Sequence, residues 1–399
     1  MNKEYNFIDL FAGCGGLSEG FYKQGFKALT HVEIDHFACE TLKTRMKHYN
    51  YQDAESSVLE LDITSKNVIS KISNVVGNRN VDLIIGGPPC QSFSTLGRAK
   101  DGEGMVNDPR NFLFESYIKV LDKFKPKMFV FENVTGLLSA KINGKLIVNK
   151  ILKELGKNYK VVANPNSMVL NSADYGVPQI RKRVIIIGVR KDVNTSPEQI
   201  YEGIKKTHFD ASDKNSGNAK KYVTVKEAIG ELPKLKQGEG EKNILFNPTD
   251  ENDFLKHIRP NSKYELLDHV SRTHNELDVK RYVAMSKNKW DFSELLEKSP
   301  ELSHPKARVF NNSYVVQHWN MPSKTIIAHL YKDGNQFIHP DYKQGRTLTP
   351  REAARLQSFP DDFVFEGSKT QQFKQIGNAV PPLFAEAIAK SIKQILNKL

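Results

Sequence analysis

The chain has 399 residues, with 58 lysines and arginines against 46 aspartates and glutamates, a formal net charge of +12. At 39% apolar and 26% charged residues it has chain enough for one large or two ordinary domains, and its balance excludes a disordered or fibrous protein. No run reaches the ~18 apolar residues of a membrane span, and the basic excess favours polyanionic partners only weakly, because solvated lysines are common.

The N-terminus passes directly into an apolar strand-like run, Tyr5 to Phe11, with Asp9 inside it. That is not the pattern of a signal peptide, so a cytoplasmic location is expected. Short apolar runs then alternate with amphipathic stretches. Candidate strands are Tyr5 to Phe11, Ala28 to Ile34, Val81 to Ile85, Met128 to Phe131 and Val184 to Val189; candidate helices are Leu17 to Gln24, Phe37 to Lys47, Phe112 to Phe124 and Leu146 to Leu155. The rhythm is that of a parallel sheet with helices on both faces, a doubly wound α/β domain whose ligands bind at the carboxyl ends of its strands.

From Lys191 the rhythm lapses until about Arg346, and eight of the eleven histidines fall in this stretch. Phe209 to Lys221 reads as a loop or linker, whereas Asn312 to Tyr314 and Lys324 to Lys332 look strand-like. Thr349 followed by Pro350 opens a helix to about Gln357, and the chain closes with an amphipathic helix from Pro382 to Leu396.

Chemistry gathers at the strand ends. After the first strand comes Gly13-Cys14-Gly15-Gly16, where glycines admit a ligand close to the backbone at a helix start. Glu33, at the end of the second strand, sits where an acid commonly accepts hydrogen bonds from a ribose, and Asp62 suits an adenine amino group. The spacing departs from G-x-G-x-x-G, which disfavours a nicotinamide enzyme; a tight βα turn with no ligand is the other explanation. After the candidate strand Val81 to Ile85, Gly86-Gly87-Pro88-Pro89-Cys90 places a thiol behind two prolines, suited to a nucleophile or to a small buried residue. Cys14 and Cys39 read as structural. Three scattered cysteines imply a reducing compartment and free thiols, without the spacing of a metal site. The long polar stretch Thr95 to Asn111 suits a lid. Glu132, ending an apolar strand, suits a proton donor of raised pKa, a helix cap or a salt bridge. Arg181 and Arg183 stand two apart before another strand and so project from one face; such a pair suits a phosphate, a base oxygen or a carboxylate, and an edge-strand charge pair is the other explanation.

Taken together, these segments resemble one family, the DNA (cytosine-5)-methyltransferases. The matching blocks are FIDLFAGCGGLSEGF (Phe7 to Phe21), VEID (Val32 to Asp35), LDIT (Leu61 to Thr64), GGPPCQSFS (Gly86 to Ser94), ENV (Glu132 to Val134), QIRKRVIIIG (Gln179 to Gly188), RTLTPREAARLQSFPDDF (Arg346 to Phe363) and QIGNAVPP (Gln375 to Pro382). The resemblance implies a Rossmann-like catalytic domain over residues 1–190 plus 371–399. It implies a second, smaller target-recognition domain over 191–370, which includes the Arg346 to Phe363 block. Phe11, Gly13, Gly15, Glu33, Asp62, Ile63 and Pro89 would line an S-adenosylmethionine pocket, closed by Asn378 and Val380. Cys90 would attack carbon 6 of a cytosine turned out of duplex DNA, making carbon 5 nucleophilic. Glu132 would hold ring nitrogen 3 and the amino group, Arg183 the carbonyl oxygen, and Arg181 would lie nearby, toward phosphate. The implied enzyme is bacterial or phage-encoded and monomeric, with double-stranded DNA as partner and a restriction endonuclease of the same specificity as counterpart. A tRNA methyltransferase or a catalytically silent DNA-binding relative are the alternatives; the long segment 191–345 and the intact Cys90, Glu132, Arg181 and Arg183 weigh against them.

Overall fold

The run Tyr5–Leu10 (β1) is an interior strand of an eight-stranded sheet, and every residue but Asn6 is buried. Around it the chain adds Gly16–Lys23 (α1), Phe26–Glu33 (β2), His36–His48 (α2), Val58–Glu60 (β3), Val68–Val76 (α3), Leu83–Gly86 (β4), Leu113–Phe124 (α4), Met128–Val134 (β5), Ile147–Leu155 (α5), Tyr159–Val161 (β6), Val169–Asn171 (β7) and Lys182–Arg190 (β8). The strand order is β3-β2-β1-β4-β5-β8-β6, with β7 also paired to β8. The computed structural model describes residues 3–89, 112–210, 212–213, 220–303 and 314–399. By internal contacts it divides into two units: Met1–Tyr175, Lys182–Lys206 and Val380–Leu399 form one, Gly176–Arg181 and Thr207–Ala379 the other.

In the first unit, alternate residues of β1 serve opposite faces, as a pleated strand requires. Ile8 and Leu10 join Ile84, Phe129, Phe131 and Ile186 in a core covered by Ile72 of α3, Tyr117 and Val120 of α4 and Ile151 of α5. Phe7 faces the other way, 5.8 Å from Phe21 of α1. On that side the terminal helix Pro382–Leu396 packs on α1, where Gln24 bonds Glu386 at 3.1 Å. Buried Arg45 and Glu19 tie α2 to α1 through bonds of 2.8 and 2.6 Å. Among the described residues no helix is long and apolar enough to cross a membrane.

The sheet is mixed, which corrects the parallel one that the βα rhythm predicts. β1, β2, β3, β4 and β5 run parallel, but β8 is antiparallel to β5, and β6 and β7 are antiparallel to β8. An apolar run carries no mark of its direction, so periodicity alone could not tell. The reversal brings the amino end of β8, with Arg183, to the edge where the other strands present their carboxyl ends.

The second unit contains an antiparallel hairpin, Gly240–Phe246 with Tyr264–Val270, and the helix Glu276–Asn288. Tyr282 and Met285 of that helix pack with Phe292, Leu295, Tyr314, Val316 and Ile338. The helix Pro350–Leu356 begins with a capping box between Thr349 and Glu352. Its block buries three arginines completely. Arg346 grips Glu352 through two bonds of 2.7 Å, Arg355 grips Asp361 at 3.0 and 2.6 Å and Glu231 at 3.1 Å, and Arg351 donates to the Leu267, Pro360 and Phe363 carbonyls. The strand-like run from Lys324 forms no strand. It turns into a 3-10 helix, Ala328–Tyr331, and its extended part is held by side chains, with Gln179 Oε1 accepting from the Ile326 amide at 2.7 Å. Tyr314 is buried and stacked on Phe292; Asn312 and Ser313 lie outside the described residues. Within Phe209 to Lys221, the described ends form two-residue strands, His208–Phe209 with Lys220–Lys221.

Candidate active site

In the first unit, β1 ends on a turn in which Phe11, Gly13 and Gly15 all have positive φ, at 58°, 55° and 88°. Glycine takes that conformation without the steric cost a side chain would pay, and a Cβ at Gly13 would meet nothing within 4 Å, so the turn leaves open space above it. Glu33 fixes the turn from the next strand. Its Oε2 accepts the Gly13 amide at 2.8 Å, while Oε1 accepts the amides of Ile34 and Asp35, each at 2.8 Å. Ile34 beside it is 67% exposed, an unusual position for a large apolar side chain at the end of a buried strand. Sequence reasoning assigned Ile34 only to a strand; what it could not supply was the exposure.

Asp62 follows β3 in a turn, its Oδ1 accepting from the amide and hydroxyl of Thr64 at 2.8 Å each, and it is exposed; Ile63 next to it is buried. β3, β2 and β1 are neighbours and parallel, so Asp62, Glu33 and the glycine turn share one edge of the sheet. The order reverses between β1 and β4, the point at which a doubly wound sheet opens a crevice.

Under the turn lies a buried polar group. Ser18 Oγ donates to Asp9 Oδ2 at 2.6 Å and lies 3.2 Å from His31 Nε2, which Tyr22 Oη also approaches at 3.0 Å. Burial pushes the Asp9 carboxyl up to about 8 and the His31 imidazole down to about 3. Cys14 and Cys39 are buried free thiols, each pushed up to about 12 by burial and so protonated and inert.

On the other side of the switch point, β4 leads into Gly87, Pro88 and Pro89. Cys90 itself lies outside the described residues, as does the stretch Thr95 to Asn111. The segment before it is anchored to β5: Asn133, buried, donates from its side-chain amide to the Pro88 carbonyl at 3.0 Å. The β5–β8 register sets Glu132 opposite Ile185 and Val134 opposite Arg183, which makes Glu132 and Arg183 diagonal neighbours on one face. Arg183 Nε lies 3.0 Å from Glu132 Oε1, with the side chains only 12% and 13% exposed. The desolvation of a carboxylate at the end of an apolar strand is thus met by an ion pair. Burial draws the Arg183 guanidinium below the ordinary arginine range, and Glu132 draws it back.

Arg181 is elsewhere. It precedes β8, belongs to the second unit, and is 2% exposed, its guanidinium donating to the Ile326 carbonyl at 2.6 Å and the Gly377 carbonyl at 3.4 Å. Gln179 of the same block bonds Gln357 Oε1 at 2.8 Å, and Gln357 bonds the Ile376 carbonyl at 2.6 Å, close to Asn378, which ends the helix Lys369–Asn378. Val380 is buried where the chain returns to the first unit.

Residues 5–394 match the family model for C-5 cytosine-specific DNA methylases. The chain is 35% identical to the type II methyltransferase M.Bpa9945I of Bacillus paralicheniformis, over 98% of this chain and 99% of that one. It is 34% identical to the type II methyltransferase M.DdeI of Desulfomicrobium norvegicum, over 97% and 88% respectively. Among solved structures, an E. coli prophage protein described as a DNA modification methyltransferase superposes with a TM-score of 0.69 at 27% identity, covering 98% of this chain and 99% of that one.

Proposed function

The chain belongs to the C-5 cytosine-specific DNA methylases and is a DNA (cytosine-5)-methyltransferase, and from this we propose that it methylates carbon 5 of a cytosine turned out of a specific duplex sequence, with S-adenosylmethionine as donor and Cys90 as nucleophile. The observation that carries this reading is the Glu132–Arg183 pair, an acid and a guanidinium held 3.0 Å apart beside the segment that delivers Cys90.

The residues at the strand ends fit the donor. Open space over Gly13, the Glu33 carboxylate, exposed Ile34 and exposed Asp62 offer a place for a methionine backbone, hydrogen-bond acceptors, an apolar face for a purine and an acceptor for its amino group. Phe11, Gly13, Gly15, Glu33, Asp62, Ile63 and Pro89 would hold it, with Ile34 added. When bound, the donor supplies the sulfonium methyl group.

This chain's residues do the rest. Glu132 hydrogen-bonds or protonates nitrogen 3 as the Cys90 thiolate adds to carbon 6, lowering the barrier as charge builds on the ring; once carbon 5 carries the methyl group, its proton passes to water, the Cys90 thiolate is expelled and nitrogen 3 gives back any proton it took. Arg183 turns its fork to the carbonyl oxygen and holds Glu132 in place between turnovers. The base cannot be reached within a duplex, so it must leave the stack. The second unit, with its histidines and lysines, would read the target sequence. The type II methyltransferase relatives support a modification role in a restriction system, and an endonuclease of the same specificity as counterpart and a cytoplasmic location belong to the same proposal.

Bisulfite or nanopore sequencing of DNA from cells producing the protein tests both activity and target. Methylcytosine at one defined sequence, lost in Cys90→Ser, is the expected result, and Cys90 should be required for covalent trapping on 5-fluorocytosine DNA. Methyl transfer to tRNA and not to duplex DNA would overturn the reading.

A further inference from the structure

Two adjacent glycines, Gly86 at the end of β4 and Gly87 after it, precede the prolines, and space limits them in different ways. A Cβ at Gly86 would run into the carbonyl oxygen of Leu10 in the neighbouring strand, so Gly86 is a condition of the sheet itself. A Cβ at Gly87 would come 2.8 Å from Glu132 Oε2, while its other neighbours, the Glu132 carbonyl oxygen at 3.6 Å and Cβ at 3.8 Å, stand at ordinary contact distance. The β4–β5 register, which pairs Gly86 with Phe131, explains the approach: the next residue along β4 comes beside Glu132.

We infer that Gly87 is a positioning residue for methyl transfer, and that its missing side chain is what lets the Glu132 carboxylate lie where it meets the base. The inference rests on the assignment of Glu132 as the group that contacts the cytosine ring. Glu132 is fixed from two sides: Arg183 holds Oε1 at 3.0 Å, and Oε2 lies against the bare backbone of Gly87. A methyl group at 87 collides only with the tip of a flexible side chain. The fold can absorb that by swinging the tip, and the reaction cannot, because proton transfer and hydrogen bonding to the ring require the carboxylate within a few tenths of an ångström of its place. No positive φ is required at Gly87, so alanine there is not strained by the backbone.

The test is a cycle of four proteins, the wild type, Gly87→Ala, Glu132→Asp and the double variant, with Glu132→Gln as a separate control. Each is assayed with tritiated S-adenosylmethionine on unmethylated phage DNA and followed by thermal unfolding. Gly87→Ala should unfold at the wild-type temperature and bind S-adenosylmethionine unchanged, with kcat down about tenfold or more, the DNA KM within about twofold, and a displaced pH profile of kcat. In the Glu132→Asp background, where the shorter carboxylate is out of reach of the new methyl, Gly87→Ala should cost less than about twofold further. An equal loss in both backgrounds would overturn the inference, as would a wild-type kcat in Gly87→Ala or its failure to fold, since the clash would then not be confined to the carboxylate. Full activity of Glu132→Gln would instead overturn the role of Glu132; an inactive Glu132→Gln with a fully active Gly87→Ala would leave that role standing and remove only Gly87.

Discussion

The buried side-chain amide of Asn133 donates to the carbonyl of Pro88 at 3.0 Å, so the residue after the candidate acid holds the segment that leads to the candidate nucleophile. One strand end thereby carries the candidate acid and anchors Pro88, since Glu132 and Asn133 are consecutive in β5 and point to opposite faces.

Asn133→Ala removes that bond and leaves the Pro88 carbonyl without it. A loss of about 1–3 kcal/mol of stability is expected, together with a fall in kcat of more than about tenfold while the affinity for S-adenosylmethionine is kept, because the glycine turn and Glu33 are untouched. Urea denaturation, calorimetric titration and methyl-transfer rates measure the three. An unchanged kcat in a destabilised protein would confine Asn133 to the fold.

Ile34→Ala should weaken the donor's binding and leave the fold intact, since a side chain 67% exposed contributes little to the core. The lost methyl and methylene groups are worth up to about 2 kcal/mol, or roughly 30-fold in Kd, if a purine covers them. An unaltered Kd by calorimetry would place the adenine elsewhere.

Asp9 and His31 predict a pH dependence of stability. With its pKa raised to about 8, Asp9 binds a proton in the native state that the unfolded chain has already released, so its contribution is present at low pH and lost as pH rises toward 8. His31, lowered to about 3, is the reverse: below about pH 6.5 the unfolded chain binds a proton that the native state refuses. Between about pH 4 and 6.5 the two slopes oppose each other, and above that Asp9 acts alone, at up to about 1.4 kcal/mol per pH unit. Urea denaturation at pH 6.5 and 8 should show the wild type losing stability and Asp9→Asn holding its own; parallel losses would refute the assignment.

Arg346 and Glu352, both fully buried, predict a strong asymmetry between single and double substitution. Glu352→Ala strands a buried guanidinium and should cost about 3–5 kcal/mol, whereas Arg346→Met with Glu352→Leu should recover most of it. Burial raises the Glu352 carboxyl, but Arg346 and His339 hold it well below the ordinary range. Its stabilisation is therefore present above the unfolded value of about 4.3 and lost as pH falls below it. The double variant should lack that acid sensitivity in circular dichroism.

Much of this was legible in the sequence because it is written in period and spacing. The strands β1, β2, β4 and β8 begin or end within two residues of their apolar runs, and the last helix spans Pro382–Leu396 as its amphipathic pattern indicates. β3 and β6, three residues each, are too short to show a period, and α3, apolar at Val68, Ile72 and Val76, went unread beside them. The direction of β8 leaves no trace in its residues. Neither does the divergence of Arg181 and Arg183: the two-residue spacing puts them on one face only if both are in the strand, and β8 begins at Lys182. Gly87 was visible as a glycine, but the reason for it is an atom 45 positions away in the chain.

Of the eleven arginines among the described residues, seven, Arg45, Arg181, Arg259, Arg281, Arg346, Arg351 and Arg355, are buried. The cations left to meet a polyanion are then chiefly lysines, compact point charges without the planar fork that grips a phosphate in fixed geometry. Loose association with nucleic acid would be paid back largely by counterion release, steep in salt and indifferent to sequence, and the enzyme could slide between targets on a field it does not have to let go of bond by bond.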